Sequence, residues 1–268
     1  MQPGASILKA LATLALASVA FAGDAPPPLQ PTRSFAPPPR IDYRTPERSY
    51  VEHKAAGWTV MVERELEEKR PAVSADALKR LDVKLAEFAA LIPEAARERL
   101  KKIPIFLLMG AEATGGGRVS GAEYFQKTAP DHYAYLDKRW GSSVVIYSAK
   151  NYLQQNNHWS VLLLVHEFAH AWHLEQWREK HPPIFQAWQN AVKEKLYENV
   201  KDLNGKTLEK AYAATNQLEY FAELSCAYFW RGEYEPFDRE QLRKHDPKGF
   251  EMIEAVWGIT KKHGHDEK

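Results

Sequence analysis

The sequence is poor in cysteine: Cys226 is the single thiol among 268 residues, which excludes an intrachain disulfide framework and a Cys-rich zinc module. It also lacks an excess of either charge, with 36 basic side chains against 35 acidic ones. A chain so balanced has no surplus of Lys and Arg with which to neutralise a phosphate backbone, so nucleic acid is excluded as a main partner. Long hydrophobic runs are missing as well. The most apolar stretch, Ala10 to Ala22, has about 13 residues, short of the roughly 20 that cross a bilayer. What the sequence does have is a hydrophobic content of 44%, enough for a substantial core, and this rules out disorder throughout. Any metal site must then be built from imidazoles and carboxylates.

Residues 1–22 carry one basic side chain, Lys9, ahead of the apolar run, and end on Ala20-Phe21-Ala22 with small residues at the two positions a signal peptidase reads. A signal peptide and export are expected, to a secreted, periplasmic or cell-surface location. Cleavage before Gly23 removes Lys9 and leaves 35 basic and 35 acidic groups, so no attraction to a membrane surface through charge is expected. Residues 23–40 hold seven of the seventeen prolines and read as an extended tether, because proline removes backbone donors and fixes the chain outside helix and sheet interior. Residues 41–268 are left for one folded domain.

Within that domain Trp58 to Leu66, Ile103 to Met109 and Ser143 to Tyr147 have the character of strands, with a weaker strand at Ala122 to Phe125. Ser74 to Leu91, with Ser74 as N-cap, and Pro93 to Lys102 read as helices. Gly115-Gly116-Gly117 lacks the Gly-Lys-Ser/Thr that completes a phosphate loop and reads as a turn. After Ser148 the pattern is helical, over His158 to Trp177, Ile184 to Val200, Gln217 to Trp230 and Pro247 to Gly258. The expected class is α+β: a small mixed sheet with helices in the first half, a mainly helical second half, and the helix of greatest interest at the junction.

That helix carries Val165-His166-Glu167-Phe168-Ala169-His170. Residues four apart on a helix are separated by about 40° and one turn, so His166 and His170 leave one face together and can bind one metal ion. Glu167 lies close by, where a base must sit to take a proton from water activated by the metal. The preceding Val161-Leu162-Leu163-Leu164-Val165 is apolar all round, which makes this helix central and buried. Buried imidazoles need a partner to offset their desolvation; a cation is one, and a hydrogen-bonded pair of core histidines is the plainer alternative.

A third ligand must come from elsewhere. Gln176 stands where an elongated motif places a third histidine, His173 is two turns from His166, and Glu175 points away from it. Gln217-Leu218-Glu219-Tyr220-Phe221-Ala222-Glu223 offers two carboxylates at i and i+4, one able to coordinate while the other orients a ligating imidazole. The same segment, from Asn216 to Glu219, also fits a simple helix cap.

His166-Glu167-Phe168-Ala169-His170 followed by Tyr212-Ala213-Ala214-Thr215-Asn216-Gln217-Leu218-Glu219-Tyr220-Phe221-Ala222-Glu223 resembles the catalytic core of the anthrax lethal factor family of zinc metallopeptidases, a zincin-like fold. In that family a Tyr precedes the glutamate ligand by seven residues, an Asn precedes it by three, and the segment reads Glu-aromatic-Phe-Ala-Glu. The resemblance spans roughly residues 160–258 and implies one zinc ion held by His166, His170 and Glu219. It further implies Glu167 as general base, Tyr212 as partner of the oxyanion or leaving amine, Glu223 behind the ligands, and a peptide or protein substrate that pairs with the strand at Ala122 to Phe125. Ala169 departs from that family's Gly, and the toxin's delivery domains have no counterpart here. Two other readings stay open: an exported zinc-containing binding protein without turnover, and a zinc hydrolase acting on an ester or a non-peptide amide.

The remaining tempting residues have plainer roles. Cys226 reads as a small buried hydrophobe. His263 and His265 belong to a terminal tail. Trp172, Trp177, Trp188, Phe229 and Trp230 read as core aromatics rather than a ligand cage. His173 reads either as a group behind the ligands or as one lining a cleft.

Overall fold

A computed structural model describes residues 41–259; the expected signal peptide, the proline-rich tether, His263 and His265 lie outside the described residues. In chain order the elements are β1 (Tyr50–Ala55), β2 (Trp58–Glu63), α1 (Arg64–Lys69), α2 (Pro71–Leu91), α3 (Glu94–Leu100), β3 (Ile105–Leu107), β4 (Ala122–Phe125), α4 (Ala129–His132), β5 (Ser143–Ile146), α5 (Ala149–Gln154) and α6 (Asn157–Leu174). They continue as α7 (Pro182–Lys193), β6 (Glu198–Lys201), β7 (Thr207–Lys210), α8 (Gln217–Phe229), α9 (Arg239–His245) and α10 (Pro247–Trp257). The described residues thus form an α+β domain with a small mixed sheet and ten α-helices.

The sheet has the order β1-β2-β3-β5-β4, with β2, β3 and β5 parallel and the outer strands β1 and β4 antiparallel to their neighbours. Parallel neighbours require crossovers, and α1 to α3 supply the one between β2 and β3. The two-residue side-chain period divides the core. Trp58, Val60, Val62, Ile105, Leu107, Val144 and Ile146 face α2, α6 and the helices beyond. Phe106, Leu108, Val145 and Tyr147 face a smaller cluster with Tyr43, Phe125, Leu136 and Trp140. β3 and β5 are covered on both faces, which is why they read as unbroken apolar runs.

Several boundaries differ from the sequence expectation. The strand from Trp58 stops at Glu63, whose buried carboxylate turns inward to pair with Arg48 and to accept the Met109 N–H, and Arg64 opens a helix instead. The long helix starts with Pro71 in its first turn, a position that needs no amide hydrogen, so Ser74 lies buried inside the helix and does not cap it. The helix expected over Ile184 to Val200 ends at Lys193; Lys195 takes a φ of 56°, and Glu198–Lys201 pairs with Thr207–Lys210 as a hairpin. β1 has no expected counterpart. The Gly115–Gly117 stretch is a turn, and a Cβ at Gly117 would lie 2.3 Å from the Gly110 carbonyl oxygen, so glycine there serves close approach of two backbone segments. No helix among the described residues is long and apolar enough to cross a membrane.

Candidate metal centre

α6 is held at its N-terminus and along one side. The Asn156 side chain accepts the Trp159 N–H at 2.9 Å and caps its N-terminus. Phe168 stacks on Phe88 of α2 with ring centroids 5.1 Å apart and meets Trp58 of β2 at 5.8 Å. With that side fixed, His166 and His170 meet α8. There Asn216 caps the helix by accepting the N–H groups of Leu218 at 2.8 Å and Glu219 at 3.0 Å, so the capping expectation is correct. The Glu219 carboxylate nevertheless lies against the two imidazoles.

The geometry is tight. His166 Nε2 lies 3.1 Å from His170 Nε2 and 3.2 Å from Glu219 Oε2, and His170 Nε2 lies 3.5 Å from the same oxygen. Among the described residues, His166, His170 and Glu219 form a group whose ligand atoms all lie within 4.8 Å of one another. Behind it, His166 Nδ1 is 3.0 Å from Glu223 Oε1. A carboxylate oxygen accepts, so Nδ1 donates to Glu223 and Nε2 is the nitrogen turned toward His170 and Glu219, where it would offer its lone pair to a cation. Glu219 Oε2 is buried and finds no donor of good hydrogen-bond geometry in this cluster. Burial alone would raise the Glu219 carboxyl, but the adjacent His166 and His170 more than offset it and hold the group well below the usual carboxylate range. Two imidazole nitrogens and an ionised oxygen turned on one point suit a divalent cation, whose charge satisfies the orphaned oxygen.

Glu167 is 4% exposed, and its Oε2 accepts the backbone N–H of Tyr124 at 2.8 Å. Tyr124 belongs to β4, the edge strand expected at Ala122 to Phe125. Tyr147 N donates to Gly121 O on the inner side, so by alternation the backbone groups of Ala122 and Tyr124 face the outer edge, beside α6. The Tyr124 hydroxyl also donates to Glu175 at the end of α6, at 2.5 Å. Nothing in the spacing of the sequence marks Tyr124, because its contribution is a main-chain donor. Tyr212 lies in a 3₁₀ turn, Tyr212–Ala214, with its ring stacked 6.2 Å from that of His166 at 25°.

His173 turns away from this cluster. It is fully buried beside Phe221, its Nε2 lies 3.2 Å from the Arg178 carbonyl oxygen, and burial lowers its pKa to about 4, so a neutral imidazole belongs to the core. Cys226 is buried on α8 with its thiol pushed up to about 12 by burial, in line with a packing role. Trp172 stacks on Trp257 with ring centroids 5.4 Å apart, as a core aromatic does.

Residues 122–257, just over half of the chain, match the family model described as glucose-regulated metallo-peptidase M90. That span runs from the edge strand to α10 and contains His166, Glu167, His170, Tyr212, Glu219 and Glu223. No curated protein and no solved structure matches the chain. The match shows a metallopeptidase family and says nothing of the anthrax lethal factor type, so the narrower likeness rests on the quoted motifs alone. With its sequence matched from β4 to α10, the chain belongs to the glucose-regulated metallo-peptidase M90 family.

Proposed function

We propose that this metallopeptidase is an exported zinc enzyme that hydrolyses peptide bonds, with His166, His170 and Glu219 as the zinc ligands. The observation that carries the reading is the convergence of two imidazole nitrogens and one buried carboxylate oxygen, all within 3.5 Å of one another, with Glu167 on the same helix as the two imidazoles. A zinc ion bound there would polarise the scissile carbonyl and make water acidic enough to ionise near neutral pH. Export rests on the signal-like residues 1–22.

The chain's own groups divide the remaining work. Glu167 takes the proton of the attacking water and passes it toward the leaving amine; the Tyr124 N–H on Oε2 fixes the carboxylate so that it needs no reorganisation. Tyr212, held beside His166, places a hydroxyl where negative charge develops on the carbonyl oxygen, so it acts mainly in the transition state. Glu223 fixes the tautomer and ring direction of His166. An extended peptide pairs with the outer edge of β4 through Ala122 and the Tyr124 carbonyl, the Tyr124 N–H being given to Glu167, which brings its backbone alongside α6.

The test is removal and return of the metal. Chelation should abolish cleavage of a broad peptide library, and about one zinc per chain should restore it. Zinc retention with no cleavage of any peptide would contradict the peptidase reading and favour a binding protein; cleavage confined to esters or non-peptide amides would change the bond attacked.

A further inference from the structure

Tyr234 lies outside every motif discussed above, in the segment that follows α8, and it is buried. Its hydroxyl accepts the backbone N–H of Ala213 at 2.8 Å. Ala213 is the central residue of the 3₁₀ turn that begins with Tyr212. The same side chain faces Glu223, the carboxylate that receives the His166 Nδ1–H, and the two residues line one small pocket. A phenol has one hydrogen to give, and with the Ala213 amide already donating to it, that hydrogen is left for the carboxylate it faces, Glu223. The path is continuous: the turn bearing Tyr212, then Tyr234, Glu223 and His166.

We propose that Tyr234 is a positioning residue of the peptidase site, one hydroxyl that sets the turn carrying Tyr212 and the carboxylate orienting His166 against each other. The inference rests on the functional reading above.

The surroundings give the hydroxyl a fixed place. Tyr234 bridges to Asp202, Leu203 N donates to Glu233 O at 3.1 Å, and Glu235 N donates to Lys201 O at 2.8 Å. Its backbone is thereby pinned to the β6–β7 hairpin, and the insertion between α6 and α8 acquires a purpose, as the brace behind the site. Burial first, and then the charge of Glu223, keep the phenol protonated.

The experiment uses the full chain and two double-mutant cycles. Tyr234→Phe removes the hydroxyl and keeps the ring. It should weaken zinc affinity, read by competition with a chelator, about tenfold, and lower kcat about 10–100-fold with KM nearly unchanged. In a Glu223→Gln background the same change should alter zinc affinity by less than about twofold, and in a Tyr212→Phe background it should alter kcat by less than about twofold, because each partner has already been removed. Additive effects in either cycle overturn the proposal. Amide hydrogen exchange supplies a readout that does not depend on the variants: Ala213 of the intact chain should be strongly protected, and exchange at the rate of an open loop overturns the proposal as well. A wild-type chain that binds no zinc would instead defeat the functional reading, and the inference with it.

Discussion

Replacing Glu167 by Gln should lower peptide turnover by about 10²–10⁴-fold and leave the zinc content unchanged. The two side chains have the same shape, and the amide oxygen of Gln can still accept the Tyr124 N–H that now lies 2.8 Å from Glu167 Oε2. His166, His170 and Glu219 are untouched, so the metal stays. What disappears is the one oxygen basic enough to take a proton from the attacking water. The split between metal content, by mass spectrometry, and kcat separates the two roles. Equal turnover in the two proteins would remove Glu167 from the mechanism, and loss of metal with turnover would make it a ligand.

The second large effect distinguishes the two carboxylates of α8. Glu219→Ala should reduce zinc affinity by more than about 100-fold, while Glu223→Ala should stay within the roughly 10–100-fold typical of groups that orient a ligand. Glu219 Oε2 is the oxygen at 3.2 and 3.5 Å from the two Nε2 atoms, whereas Glu223 touches only the far nitrogen of His166. Removing the first deletes one corner of the trio. Removing the second leaves the trio complete but frees the His166 ring to rotate and to exchange tautomers. Indistinguishable affinities for the two variants would undo the assignment of Glu219.

The grouping of His166, His170 and Glu219 was more legible in the sequence than the fold around it, for physical reasons. A helix period is enough to put His166 and His170 on one face, and the same period puts Glu219 and Glu223 on another, so the only step left to tertiary structure was the meeting of α6 and α8. The capping pattern at Asn216 and the ligand-like position of Glu219 looked like rivals in the sequence and coexist in the structure, because the cap uses the backbone of Glu219 and the cluster uses its side chain. Boundaries were harder. β1 runs Tyr-Val-Glu-His-Lys-Ala, with no alternation of apolar and polar residues, and its pairing with β2 rather than its own composition makes it a strand. The end of α7 at Lys193 and the hairpin after it depend on backbone turns at Lys195 and Asn199, both at a φ of 56°, which no helical period announces. Tyr124 and Tyr234 were invisible for a different reason. One acts through its main chain and the other through a single hydroxyl brought in by a bridge to the hairpin, and neither leaves a mark in residue spacing.

The most direct test of the metal centre is X-ray absorption at the zinc edge of the full-length, zinc-loaded protein. The convergence of His166, His170 and Glu219 predicts two imidazole nitrogens and one carboxylate oxygen at about 2.0–2.2 Å, with a further light atom from water and the carboxylate contribution lost in Glu219→Ala. A sulfur scatterer, a shell without imidazole, or a spectrum unchanged in Glu219→Ala would contradict it.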